Sequence, residues 1–131
     1  MTIFDHEPFR NLFITDPAHP DYDPAAAEEG KQVADEENRK VLEFMQGADI
    51  VIHDAQYTHK EYTDGKVGWG HSTYEWAINS AARARVKTLV MTHHDPDRSD
   101  RRLLELEREY TRKIQGKTGM RIIAAREGMT I

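Results

Sequence analysis

Apolar and polar residues alternate in blocks along this chain, and the blocks predict strands and helices in turn. Short apolar runs typical of buried strands lie at 49–53, 86–92 and 120–124. Apolar residues at helical spacing predict helices at 32–46, 72–85 and 99–114. Helices and strands therefore follow one another in strict alternation, which predicts an α/β fold with a largely parallel sheet.

Proline, glycine and capping residues indicate the structure of the segments between these elements. Residues 1–4 form a short apolar stub, and 11–30, rich in Pro, Asp and Ala, is interpreted as a loop or insertion. Residues 57–70 are polar and glycine-containing, which favours a loop. Ser72 and Glu75 have the spacing of a capping box with Ser72 as N-cap, and 129–131 could add an edge strand.

Composition narrows the class of protein. With 131 residues, 38% hydrophobic and 31% charged, the chain is one domain or part of one. A net charge of −5 argues against general nucleic-acid binding and against a membrane surface as partner. Cysteine is absent, so a metal ion would need histidine and carboxylate ligands. No run is long enough to span a membrane and none reads as a signal peptide, which favours the cytoplasm.

Residues able to do chemistry follow two of the predicted strands. His53 and Asp54 come at the end of one strand, and His93, His94 and Asp95 follow the next. The carboxyl ends of parallel strands are where α/β proteins bind ligands. Imidazole and carboxylate groups suit zinc, manganese or iron. One histidine after the second strand is a candidate ligand, and a mononuclear site made of His93, His94 and Asp95 remains an alternative.

His71 lies between a Gly-Trp-Gly turn and a predicted helix. Glycines allow close approach of a ligand, and a helix N-terminus favours an anion, so His71 could contact a phosphate or act as a general acid. Asp54 could orient His71 through its second ring nitrogen. Weaker candidates are Asp5, His6 and Glu7 as ligands, and Arg98, Arg101 and Arg102 as a phosphate clamp.

These blocks, taken in order, resemble the C-terminal portion of metallo-β-lactamase-fold metallohydrolases. They are most similar to the branch of ribonuclease Z-like enzymes and cyclic-phosphate phosphodiesterases. The resemblance implies that Asp5 bridges two metal ions, with Asp16 as the alternative, and that His93 is the last metal ligand. It also implies that Asp54 is the acidic residue of the site and that His71 contacts the phosphate or donates a proton.

The family's main ligand motif, His-x-His-x-Asp-His, does not occur in this sequence. By the resemblance, residues 1–131 would be the C-terminal part of the domain, half of an αββα sandwich, without its N-terminal metal-binding half. The inner sheet face would then be open to a partner, either the missing half or a second copy of the chain. A truncation, a processed piece and one subunit of a split enzyme all fit this interpretation.

The resulting hypothesis is a metal-dependent hydrolase that acts only when the missing half is supplied. The resemblance implies a divalent metal ion, with zinc preferred, and a small phosphodiester substrate attacked by metal-bound hydroxide. The catalytic residues would be His71 and Asp54, and the metal ligands Asp5 and His93. The alternative is a non-catalytic, self-associating or regulatory remnant of the fold without metals.

Overall fold

A computed structural model of the protein describes residues 7–131 in full and the backbone of residues 2–4. Helices and strands alternate as the sequence predicts, except that two helices lie between the second and third strands. In chain order the elements are β1 (Thr2–Phe4), α1 (Pro24–Met45), β2 (Ile50–Asp54), α2 (His59–Thr63), α3 (Tyr74–Arg83), β3 (Thr88–Thr92), α4 (Asp100–Ile114) and β4 (Arg121–Ala124).

The strands form one four-stranded sheet in the order β1-β2-β3-β4, and every pairing is parallel. The predicted α/β class with a parallel sheet is confirmed. Asp54, the last residue of β2, pairs in register with Thr92, the last residue of β3. Both strands therefore end at the same level, and the residues that follow them share one edge of the sheet.

One face of the sheet carries the main core. Val51, Leu89 and Ile122 lie in one register row and are buried together with side chains of α3 and α4. Tyr74 and Leu106 are the large helical residues of this cluster. The amphipathic patterns of α3 and α4 thus place both helices on this face.

Part of the opposite face is buried within the single chain. Because side chains alternate along a strand, Ile52, Val90 and Ile123 share the second face in another register row. Val90 is 2% exposed and Ile123 is 3% exposed, whereas Ile52 is half-buried. The chain itself therefore shields Val90 and Ile123, and the partner expected on this face stays a prediction.

Helix α1 begins earlier than the sequence pattern indicated. It starts at Pro24, not at residue 32, so the predicted loop at 11–30 ends at Asp23. The Asp23 carboxylate accepts a hydrogen bond from the Ala25 N–H. Proline suits the first helical position because it has no backbone N–H that would need an acceptor there. Local capping chemistry outweighed the alanine-rich, charged composition that suggested a loop.

Three smaller predictions are wrong. The N-cap of α3 is Thr73, whose hydroxyl accepts from the Trp76 N–H, and not Ser72. The predicted loop at 57–70 contains α2, which has its own capping box between Thr58 and Glu61. Residues 129–131 form no strand. Among the described residues, no helix is long and apolar enough to cross a lipid bilayer.

Candidate metal centre

The candidate site lies at the carboxyl edge of the sheet, where β2 and β3 end side by side. Asp54 is the last residue of β2, and His93 directly follows β3. The third member, His71, comes from the segment before α3. Residues separated by 17 to 39 positions in the sequence thus meet because neighbouring parallel strands deliver them to one edge.

Asp54 is the buried centre of the cluster, with 0% of its surface exposed. The Ser72 N–H donates to its Oδ2 atom at 2.7 Å. Burial raises the pKa of Asp54, while the Ser72 N–H and the neighbouring His71 act to lower it. A carboxylate in this position attracts a cation, because its negative charge has little contact with water.

His71 is held against this carboxylate. Its Nδ1 atom lies 3.3 Å from both Oδ1 and Oδ2 of Asp54. The side chain is 27% exposed. With Nδ1 directed at Asp54, Nε2 is the ring nitrogen left for a metal ion or a substrate atom. The geometry agrees with the predicted orientation of His71 by Asp54.

His93 closes the cluster from the other strand. Its Nδ1 atom is 3.8 Å from Asp54 Oδ1, and its ring centroid is 5.5 Å from that of His71. The backbone of His93 has a φ of +60°, a left-handed conformation that costs a non-glycine residue on the order of 1 kcal/mol. Such a conformation persists where the surrounding structure imposes it, here at the end of a buried strand.

The donor set fits a divalent transition metal ion. One ligand atom each from Asp54, His71 and His93 lies within 4.8 Å of the others. Two imidazoles and one carboxylate are ligands that zinc, manganese and iron accept. Three protein ligands would leave a coordination position for water or substrate. The structure therefore brings three of the four predicted site residues into one group.

His94 and Asp95 do not join this group. His94 Nδ1 lies 3.3 Å from the Tyr74 hydroxyl, and Nε2 lies 3.1 Å from the Ala125 carbonyl oxygen. Burial lowers the pKa of His94, which favours its neutral form. Asp95 accepts from the N–H of Asp97 within its own turn. The alternative mononuclear site of His93, His94 and Asp95 is wrong, because both ring nitrogens of His94 face protein atoms.

The remaining predicted ligands lie elsewhere. Asp5 and His6 fall outside the described residues, so the bridging role of Asp5 stays a prediction. Asp16 accepts from the N–H of Ala18 in an exposed local turn and is not part of the metal-ligand cluster.

The three arginines do not form a common clamp. Arg101 and Arg102 pair with Glu105 on exposed turns of α4. Arg98 is 7% exposed and donates to the Gln56 carbonyl oxygen at 3.0 Å and to Glu61 at 2.7 Å. It joins the loop after β3, which carries His93, to the segment that follows Asp54 at the end of β2. The sequence around Arg98 does not distinguish this structural role from the surface roles of Arg101 and Arg102.

Glu7 also has a role that the sequence did not reveal. Its Oε1 atom accepts from the Tyr62 hydroxyl and the Gly68 N–H, each at 2.7 Å, and Oε2 accepts from the Gly70 N–H at 3.3 Å. Burial alone would raise the pKa of Glu7, but these hydrogen bonds outweigh it and lower the pKa. Glu7 thereby fixes the turn that precedes His71 and is not placed as a metal ligand.

An α/β chain with a histidine–carboxylate cluster at the carboxyl edge of its sheet has the features of a metal-site protein. Comparison with known proteins gives a more specific result. The chain is 35% identical over 86 residues to Ribonuclease Z of Ignicoccus hospitalis, a match that covers 64% of this chain and 28% of that protein. Ribonuclease Z of Brevibacillus brevis is 38% identical over 65 residues, a match that covers 50% of this chain and 20% of that protein. Ribonuclease Z of Archaeoglobus fulgidus is 40% identical over 55 residues, a match that covers 42% of this chain and 18% of that protein.

These similarities confirm the predicted resemblance to ribonuclease Z-like proteins of the metallo-β-lactamase family. The matched part of the chain spans between 18% and 28% of the length of these three relatives. No family model and no solved structure matches the chain.

Proposed function

We propose that this chain supplies one side of a metal-dependent phosphodiester hydrolase site. The observation that carries the proposal is the Asp54–His71–His93 cluster, whose ligand atoms lie within 4.8 Å of one another. Sequence similarity to proteins named Ribonuclease Z supports the same chemistry. In this proposal the chain is the C-terminal half of an αββα sandwich, and the remaining metal ligands come from residues outside it.

His93 would hold the metal ion together with Asp5, and Asp54 would lie close enough to share it. When bound, a divalent metal ion activates water for attack and withdraws negative charge from the phosphate. In this proposal His71 contacts the substrate and not the metal ion: it keeps Nδ1 on Asp54 and presents Nε2 to the substrate. In its protonated form Nε2 can donate to a phosphate oxygen or to the leaving oxygen.

The substrate is proposed to be a phosphodiester, with a small or cyclic one as the first choice. The name of the relatives points to RNA for those proteins, so RNA is the second substrate to test. The net charge of −5 does not favour an extended electrostatic contact with a nucleic-acid backbone. A small substrate needs no such surface.

Metal binding by the chain itself can be tested directly. We expect native mass spectrometry and zinc titration to show binding that His93→Ala weakens at least about ten-fold, since one ligand is lost. His59→Ala is the matched control, because His59 is exposed on α2 and outside the cluster. A metal-free homodimer, with equal behaviour of both variants, would favour the non-catalytic alternative.

Hydrolysis requires the missing ligands. The chain would be mixed with a separately produced N-terminal portion of a ribonuclease Z that carries the His-x-His-x-Asp-His motif. With zinc or manganese present, we expect cleavage of bis(p-nitrophenyl) phosphate that His71→Ala reduces by about 100-fold or more. A folded, metal-loaded assembly that cleaves neither this compound nor RNA contradicts the proposal.

A further inference from the structure

Trp69 is a large aromatic side chain held in solvent two residues before His71. It is 61% exposed, whereas the other tryptophan, Trp76, is half-buried in α3. The glycines on either side, Gly68 and Gly70, have φ values of +88° and +89°. Glycine adopts such positive φ values without strain, and here they turn the chain on both sides of the indole. The turn therefore presents Trp69 outward instead of packing it.

The turn is anchored on both sides of Trp69. The Gly68 N–H donates to Glu7 Oε1 at 2.7 Å, and the Gly70 N–H donates to Glu7 Oε2 at 3.3 Å. Tyr62 donates to the same carboxylate at 2.7 Å. One carboxylate thus fixes the peptide groups that flank the indole. An exposed ring on a fixed backbone loses little conformational freedom when a ligand stacks on it.

Cations and a second aromatic ring connect Trp69 with the metal-ligand cluster. The Lys66 ammonium lies 3.8 Å from the centre of the Trp69 ring and 5.9 Å from that of Tyr57. The Tyr57 ring meets His71 edge-on, with 6.2 Å between ring centres. Arg10 also reaches this turn, because its guanidinium lies 3.5 Å from the position that a Cβ atom on Gly68 would take. The Arg10 guanidinium also lies 3.5 Å from the Glu7 carboxylate, so it is the Lys66 ammonium that contacts the indole, in a chain whose net charge is −5.

We propose that Trp69 and Lys66 form a base-stacking subsite that selects a phosphodiester carrying a nucleobase. This inference rests on the proposed hydrolase function, since it assigns the substrate class of the same site. The base stacks on the Trp69 indole, Lys66 contacts a phosphate oxygen, and the phosphodiester extends past Tyr57 to His71. Every nucleobase offers a flat π-face, so this subsite recognises a nucleotide without reading its sequence.

The test compares a ligand that has a base with one that lacks it. Adenosine 5′-monophosphate and ribose 5-phosphate are titrated into the chain by ligand-observed NMR, with no metal ion present. We expect tighter binding of adenosine monophosphate, and upfield ring-current shifts of its base protons. Trp69→Ala should weaken that binding by between about 5-fold and 100-fold and leave ribose 5-phosphate unchanged, whereas Trp69→Phe should restore most of it.

Lys66→Met is the matched comparison and should weaken both ligands alike, because it removes a phosphate contact and not the stacking surface. Urea midpoints equal to that of the starting protein show that the variants fold. Equal affinity of the starting protein for both ligands overturns the proposal, as does a Trp69→Ala variant that keeps its affinity for adenosine monophosphate. Because no turnover is measured, failure of hydrolysis with intact stacking would count against the proposed function alone.

Discussion

Replacing Arg98 with methionine removes the buried cation that joins the two loops of the site. The Arg98 side chain is 7% exposed, and it donates to the Gln56 carbonyl oxygen and to Glu61. Methionine keeps much of the side-chain volume but offers no donor. The substitution therefore keeps the packing of the stem and removes the hydrogen bonds, together with the contact of the guanidinium with the Tyr74 ring, whose centre is 5.5 Å away.

The expected loss follows from these contacts. Loss of the charged hydrogen bond from Arg98 leaves the Gln56 carbonyl oxygen without this donor, which costs roughly 1.5–3 kcal/mol. Glu61 is 42% exposed, so solvent screening limits its share to at most about 1 kcal/mol. Arg98 Nε is buried without a hydrogen-bond partner among the described residues, and removal of that group offsets about 1 kcal/mol. Arg98→Met should lower the free energy of unfolding by about 2 kcal/mol.

Urea unfolding followed by far-ultraviolet circular dichroism measures this change, with an unchanged slope as the sign of two-state behaviour. Arg101→Met is the matched control, because Arg101 is 90% exposed and pairs with Glu105 on the surface of α4. Its free energy of unfolding should change by no more than about 0.5 kcal/mol. Equal effects of the two variants would refute the assignment of Arg98 as a structural link between the loops.

Three further predictions concern the core, the acid stability and the metal centre. Leu89→Ala should lower the free energy of unfolding by about 2–5 kcal/mol, since Leu89 is fully buried. Val33→Ala, at an exposed position, is the control and should change it little. Urea unfolding measures both. Burial would raise the pKa of Glu61, but its hydrogen bonds from Arg98 and Thr58 outweigh this and lower it below the ordinary 4.5. The unfolded chain therefore binds the proton more readily, so this stabilisation is present above about pH 4.5 and lost as the pH falls through the lowered pKa. Urea midpoints measured from pH 3 to pH 7 should show a smaller acid loss for Glu61→Gln. Asp54→Asn keeps an acceptor for the Ser72 N–H and removes the negative charge. Zinc affinity, measured by competition with a chelator, should therefore fall by about 10- to 100-fold. Unchanged affinity would exclude Asp54 from the metal site.

The sequence by itself determined the order of the main helices and strands and the edge at which the chemistry lies. Apolar runs and helical spacing predict alternating strands and helices, and parallel pairing then places Asp54 and His93 at one edge. The predicted proximity of Asp54 and His71 also agrees with the structure. These features depend on local periodicity and on a general rule of α/β folds, so they can be read without coordinates.

Only the tertiary structure decided which polar residues share the site. His93 and His94 are adjacent in sequence, yet one turns to Asp54 and the other to Ala125. The roles of Glu7 and Arg98 likewise depend on partners 61 and 37 residues away, namely Gly68 and Glu61. Such contacts are set by the packing of distant segments and leave no periodic signal in the chain, because a single polar residue can face solvent or a buried partner equally well.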